Sequence, residues 1–98
     1  MNVEQHTREA LDLKNLQFPP SPRIEALEYQ PYEDSTGEDS LEVFVIISDS
    51  TRDEEITGEN VIEIKSAIRE SLLSKGVNLF PYIEFITRSD YDALEKSQ

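Results

Sequence analysis

The stretch Leu41-Glu42-Val43-Phe44-Val45-Ile46-Ile47-Ser48 decides the fold of this 98-residue chain. In an extended strand successive side chains point to opposite faces, and both faces of this one are apolar. One face carries Leu41, Val43, Val45 and Ile47, and the other carries Phe44 and Ile46. Such a pattern is typical of a strand covered on both sides. The sequence therefore predicts a central strand over 41–48.

The segment before it predicts a second strand, from Arg23 to Tyr29 and ended by Pro31. A proline near a strand end favours the edge of a sheet. One face of this strand would carry Leu27 and Tyr29, and the other would carry Ile24 and Ala26. The intervening residues 33–40 are rich in turn formers, so we expect an antiparallel hairpin.

Helical periodicity begins after the acidic residues 49–58 and predicts a helix over 59–75. Thr57 or Asn60 can cap its start, and Gly76 stands where a helix-terminating glycine belongs. The expected buried stripe consists of Val61, Ile64, Ile68 and Leu72, widened by Ala67 and Leu73.

The C-terminal part predicts a strand over 82–87 and a short helix over about 90–96, with Ser89 as its cap and Leu94 facing inward. A crossover through the preceding helix would make this strand parallel to 41–48.

At the N-terminus the spacing predicts a helix over 8–16 capped by Thr7, with residues 1–7 frayed. A proline-rich connector over 18–22 follows. The whole chain is expected to be a single domain, 1–98, of α+β class. Its order is α-β-β-α-β-α, a two-layer arrangement with helices packed on a three-stranded mixed sheet.

The net charge of −12 is concentrated in one part of the chain. Residues 25–63 hold thirteen of the 21 acids and one base, Arg52, so the remainder is neutral. So few bases argue against a nucleic-acid partner or an anionic membrane surface. The hairpin turn (residues 33–40) and the acidic loop (residues 49–59) would lie at opposite ends of strand 41–48, about 25 Å apart.

No sequence motif points to catalysis. Cysteine is absent, which excludes thiolate chemistry and favours a cytoplasmic protein. The only histidine, His6, falls in the segment expected to fray, and the three glycines form no phosphate-binding loop. No basic start or apolar middle of a signal peptide occurs in residues 1–20. We expect no enzymatic activity and no cofactor.

Divalent-metal binding is the alternative hypothesis. Asp49-Ser50-Thr51-Arg52-Asp53 offers oxygen ligands at alternate positions, but Glu54 and Asn60 stand where a calcium loop needs glycine and a carboxylate. A looser site would use Asp34, Asp39 and Glu42, or Asp49, Asp53 and Glu55.

The turn Asp34-Ser35-Thr36-Gly37 followed by Ser40-Leu41-Glu42 resembles the metal-binding segment of nucleotidyltransferase palms. Those palms place a Gly-Ser turn before an Asp-x-Asp pair that holds the metal ions for phosphoryl transfer. In this chain the Gly-Ser pair is missing and Ser40 replaces one carboxylate. The resemblance therefore implies at most a degenerate member of that fold.

The charge segregation favours a protein-binding accessory or regulatory module that docks a basic partner protein. An open sheet edge also favours a homodimer through the sheet. The candidate partner-binding residues are Tyr32, Glu33, Asp34, Glu38, Asp39, Asp53, Glu54 and Glu55. Tyrosines near Pro31-Tyr32 and Pro81-Tyr82 are a further candidate surface, because tyrosine is enriched at interfaces.

Overall fold

The sheet is built around β2 (Asp39–Ile47) in the computed structural model, which describes residues 3–97. β2 lies between β1 (Ile24–Glu33), to which it is antiparallel, and β3 (Phe80–Thr87), to which it is parallel. The predicted three-stranded mixed sheet and the central position of strand 41–48 are confirmed.

Within residues 3–97 three α-helices accompany the sheet: α1 (Val3–Ala10), α2 (Gly58–Ser74) and α3 (Arg88–Lys96). Two short 3₁₀ helices, Leu13–Asn15 and Asp53–Glu55, lie in the connections. The predicted order α-β-β-α-β-α is therefore confirmed. None of the helices within residues 3–97 is long and apolar enough to cross a membrane.

The main core lies between α2 and one face of the sheet, which we call the core face. Ile64, Ile68 and Leu72 of α2 are almost completely buried against Leu41, Val43, Val45 and Ile47 of β2. Thr57 caps α2, accepting a hydrogen bond from the Asn60 N–H at 3.0 Å. Gly76 ends it with a φ of 77°, in the left-handed region that glycine favours. Leu73 is 64% exposed, so its predicted place in the buried stripe is wrong.

α3 lies against the opposite side of the sheet, which we call the second face. Its Tyr91 ring packs on Phe44 with ring centroids 5.6 Å apart. Thr87 caps α3 by accepting from the Asp90 N–H at 3.2 Å, so the prediction of Ser89 as cap is wrong. Leu94 is 40% exposed rather than turned into a core, because this nine-residue helix covers only part of the face.

The N-terminal helix starts earlier than the sequence predicts. α1 is helical from Val3, and Thr7 is a buried residue within it, donating to the Val3 carbonyl at 2.8 Å. Ala10 and Leu11 are buried in the main core, so α1 shares the core face with α2. Residues 11–16 leave the helix, which corrects the predicted range of 8–16. Met1 and Asn2 lie outside the described residues.

β1 also differs from the prediction. It continues through Pro31 to Glu33, because at the edge of a sheet a proline that lacks its N–H need not break the ladder. A β-bulge between Ile24 and Ala26 shifts the register. Ile24 therefore pairs with Ile47 and packs on the main core, not on the face of Ala26. The connector over 18–22 contains no helix or strand, as predicted.

Candidate functional site

The acidic hairpin turn is organised around one carboxylate, Asp34. Its Oδ1 accepts hydrogen bonds from the Thr36 hydroxyl at 2.6 Å, the Thr36 N–H at 2.9 Å and the Glu38 N–H at 3.0 Å. Its Oδ2 accepts from the hydroxyls of Ser40 at 3.4 Å and Tyr82 at 3.3 Å. The Thr36 hydroxyl, the two backbone N–H groups and the Tyr82 hydroxyl lower the pKa of Asp34. Asp34 therefore holds the turn together.

The acidic loop at the other end of β2 uses its carboxylates in a similar way. Asp49 accepts from the Ser89 hydroxyl and from the Ser89 N–H at 2.9 Å, and these bonds lower its pKa. Because Ser89 lies in the first turn of α3, Asp49 fastens the start of that helix to the loop. This contact also explains why Ser89 does not act as the cap.

Glu55 is held within the same loop. It accepts from the Arg52 N–H at 2.7 Å and from the Ser21 hydroxyl at 2.9 Å, and its pKa is lowered, chiefly by the Arg52 bond. The Arg52 side chain lies 3.6 Å from Glu54 and 3.9 Å from Glu55. Arg52, the only base among residues 25–63, is thus paired with acids of its own loop. Asp53 and Glu54 lie exposed on a 3₁₀ helix.

The structure keeps the hairpin turn and the acidic loop apart. The nine residues of β2 separate them, about 26 Å at the rise of a strand. Of the candidate partner-binding residues, Tyr32, Glu33, Asp34, Glu38 and Asp39 lie at the hairpin end, and Asp53, Glu54 and Glu55 lie at the other end. They do not form one surface.

Neither alternative metal set is assembled. Across residues 3–97 no three His, Cys, Asp or Glu side chains come together in a way that could hold a metal ion. In the first set Asp34 is engaged in its turn and Glu42 accepts from the Gln30 amide. In the second set Asp49 and Glu55 each accept donors from their own surroundings. The resemblance to a metal-dependent palm therefore gains no support from the geometry.

An exposed aromatic cluster lies beside the hairpin turn, on the second face. The Tyr82 ring contacts Tyr32, with centroids 5.3 Å apart, and Phe80, with centroids 4.8 Å apart. Phe80 is 50% exposed, Tyr32 42% and Tyr82 39%. Partial burial and the nearby Asp34 raise the pKa of Tyr82, so its hydroxyl stays protonated and donates to that carboxylate. The segments Pro31-Tyr32 and Pro81-Tyr82, a candidate surface from the sequence, therefore lie side by side.

Next to this cluster the second face is acidic. In the ladder Glu42 lies beside Gln30 and Tyr82, and Phe44 lies between Glu28 and Glu84. Alternation along the strands assigns twelve residues to this face, and none of them is basic. They are Ala26, Glu28, Gln30 and Tyr32 of β1, Ser40, Glu42, Phe44 and Ile46 of β2, and Phe80, Tyr82, Glu84 and Ile86 of β3.

The acidic residues of this face were missed as a group by the sequence reasoning. The sequence did contain a signal, since Glu28, Gln30 and Tyr32 alternate with the core residues of their strand, as Tyr82 and Glu84 do in theirs. Only the pairing of the strands shows that these alternating positions share one face.

No protein-family model matches this chain, and comparisons with curated proteins and with solved structures likewise give no match. The functional argument therefore depends on the geometry of the chain itself.

Proposed function

We propose that this protein is a non-enzymatic protein-binding module that docks a basic partner protein. The docking surface is the uncovered part of the second face, together with the hairpin turn beside it. The observation that carries the proposal is the combination of exposed aromatic rings and carboxylates on a face to which the strands contribute no base. The guanidinium of Arg69 on α2 lies 5.7 Å from the centroid of the Phe80 ring, so the aromatic cluster has a basic neighbour at that end.

The chemistry of this surface suits a basic protein. Partly exposed tyrosines offer large, rigid contact areas and are typical of interfaces. Carboxylates around them steer a basic partner during encounter and disfavour acidic ones. A role in the cytoplasm is part of the proposal. The lack of cysteine supports it, because cytoplasmic proteins are rarely stabilised by disulfides.

Site-specific photo-crosslinking tests the location. A benzophenone amino acid placed at Tyr32 or Tyr82 should crosslink one partner whose linked peptides are rich in Lys and Arg. The control position is Ile62, which is exposed on α2, the helix that packs on the core face. Equal crosslinking from Ile62 would contradict the proposed surface.

A matched pair of charge reversals separates docking from diffuse electrostatic attraction. The variant Glu38→Lys/Asp39→Lys changes the hairpin end, and Asp53→Lys/Glu54→Lys makes the same net-charge change at the other end. The first should weaken partner binding by about tenfold at low salt, and the second by less than about twofold. Equal losses would reject a localised surface.

We also propose a homodimer as a second candidate, favoured by the outer edge of β3. Within residues 3–97, β3 pairs only with β2, and the exposed Leu73 and Phe80 line one shallow groove beside that edge. An unpaired edge with apolar neighbours is prone to association. Light scattering should show a dimer that the variant Leu73→Lys/Phe80→Lys dissociates; a monomer at ~0.2 mM would reject this candidate.

A further inference from the structure

A groove runs beside α3 where that helix leaves the second face uncovered. Its volume is about 550 Å³, within the range of ligand-binding clefts. Its apolar part is formed by Phe44, Ile86 and Leu94, and its acidic part by Glu42, Glu84 and Glu95. None of the residues that line it is basic.

The groove exists because α3 is too short to cover the face. Tyr91 packs on Phe44, which is only 9% exposed, and Ile46 behind it is completely buried. One turn further along, Leu94 remains 40% exposed. The helix thus seals one end of the face and forms a wall along the rest.

The polar groups on the wall are fixed by their own hydrogen bonds. The Tyr91 hydroxyl donates to Glu95 at 2.6 Å, and partial burial together with this bond raises the pKa of Tyr91 to about 12. The Gln30 amide donates to Glu42. Both carboxylates retain acceptor positions, since an ionised carboxylate accepts about four hydrogen bonds.

Two bases lie on α3 close to the groove wall, and neither lines the groove. Lys96 follows Glu95 and is exposed in the last turn, whereas Arg88 in the first turn is engaged elsewhere. Arg88 lies 3.3 Å from Glu25 and 3.7 Å from Asp92. Carboxylates beside apolar and aromatic surface are complementary to a long cationic side chain. Its hydrocarbon stem packs on the apolar part while its charged end reaches the carboxylates.

We propose that this groove takes a cationic, apolar segment of the partner protein, with an arginine or lysine side chain lying along Phe44 and Leu94 towards Glu42 and Glu84. This inference rests on the proposed function and names the part of the surface that gives specificity. The groove is continuous with the aromatic cluster, because Glu42 pairs with Tyr82 in the ladder. A surface extended in this way fits a peptide segment better than a small free cation.

Peptide binding to the full-length protein tests the proposal. The probe is a fluorescent nine-residue peptide of alternating Arg and Leu, and its two control peptides replace every Leu by Ser or every Arg by Glu. The groove variant is Glu42→Gln/Glu84→Gln, and the matched control is Glu59→Gln/Glu63→Gln, two exposed acids on α2. The groove variant should weaken the Arg-Leu peptide by about tenfold and the control by less than about twofold.

The apolar part has its own matched pair, Leu94→Ser and Ile62→Ser, the second at an exposed apolar residue of α2. Leu94→Ser should weaken the Arg-Leu peptide by about fivefold and leave the Arg-Ser peptide unchanged, whereas Ile62→Ser should affect neither. In NMR spectra of the folded wild type, the amides of Phe44, Glu84 and Leu94 should shift most on titration.

The outcomes separate the groove from the wider docking surface. If the groove variants bind normally but Glu38→Lys/Asp39→Lys loses binding, the docking surface stands and the groove assignment is wrong. Equal weakening by groove and control variants would indicate diffuse attraction and overturn both proposals. Competition by spermidine at the same concentration as the peptide would reassign the groove to a free polyamine.

Discussion

The two faces of the sheet are closed by unequal partners, although β2 is apolar on both. On the core face, α1 and the seventeen-residue α2 cover Leu41, Val43, Val45 and Ile47 completely. On the second face, the nine-residue α3 covers Ile46 and Phe44 and stops there. The β2 side chains of the core face are therefore structural, whereas the second face is structural at one end and a surface at the other.

The same division applies to the acidic residues. Asp34, Asp49 and Glu55 hold turns and a helix start together through hydrogen bonds. The carboxylates of the uncovered second face, such as Glu84, line an open groove instead. Part of the high negative charge is thus needed for folding, and the functional proposal rests on the other part.

The largest expected effect concerns the core face. Ile68→Ala removes a completely buried side chain and should lower the free energy of unfolding by about 3 kcal/mol. Leu73→Ala, on the exposed side of the same helix, should change it by less than about 0.5 kcal/mol. Chemical denaturation of both variants measures the contrast, and equal losses would contradict the assigned orientation of α2.

A smaller effect is expected where α3 meets the second face. Tyr91→Ala removes the ring that packs on Phe44 and should cost about 2 kcal/mol. Tyr91→Phe keeps the ring and loses only the hydrogen bond to Glu95, so it should cost less than about 1 kcal/mol. Thermal melts of both variants test which one loses more stability. A larger loss in Tyr91→Phe than in Tyr91→Ala would show that the ring contact is not what anchors α3.

The two helix caps sharpen the comparison further. Thr57→Ala and Thr87→Ala each remove a hydroxyl that accepts one backbone hydrogen bond, a change worth about 1 kcal/mol. Hydrogen exchange should show faster exchange across the whole core for Thr57→Ala, because α2 is part of it. For Thr87→Ala the faster exchange should stay within α3. Faster exchange that also reaches β2 would mean that the packing on the second face is not less stable than the packing on the core face.

The smallest expected effect is a pH dependence at Asp49. Its pKa in the folded protein lies below the ordinary value of 3.8, so folding stabilises its charged form. That contribution is fully present above pH 3.8 and is lost as the pH falls through the lowered folded pKa. In Asp49→Asn the midpoint of unfolding should fall less steeply below about pH 4 than in the wild type. An unchanged slope would show that the bonds to Ser89 do not stabilise the carboxylate.

Several elements were predictable because their signals are local and strong. The periodicity of α2, with a cap expected at Thr57 or Asn60 and a stop at Gly76, predicted its bounds to within one residue. β2 was recognisable because its apolar side chains alternate on both faces. The antiparallel and parallel pairings then followed from connection lengths and crossover handedness.

Other features depended on neighbours distant in the sequence. Thr7 does not cap a helix because it lies inside α1, where its side chain is buried against the rest of the fold. Pro31 does not end β1 because that strand lies at the sheet edge. Ser89 is not the cap because Asp49, forty residues earlier, accepts its hydrogen bonds.

The sequence by itself determined the α+β class, the order of the elements, the main core and the segregation of acidic charge, because each depends on residue type and spacing. Only the tertiary structure decided that the two acidic segments stay apart, that Tyr32 and Tyr82 meet, and that Glu42 and Glu84 border one groove. The physical reason is that strand register and the reach of a nine-residue helix determine which side chains share a surface.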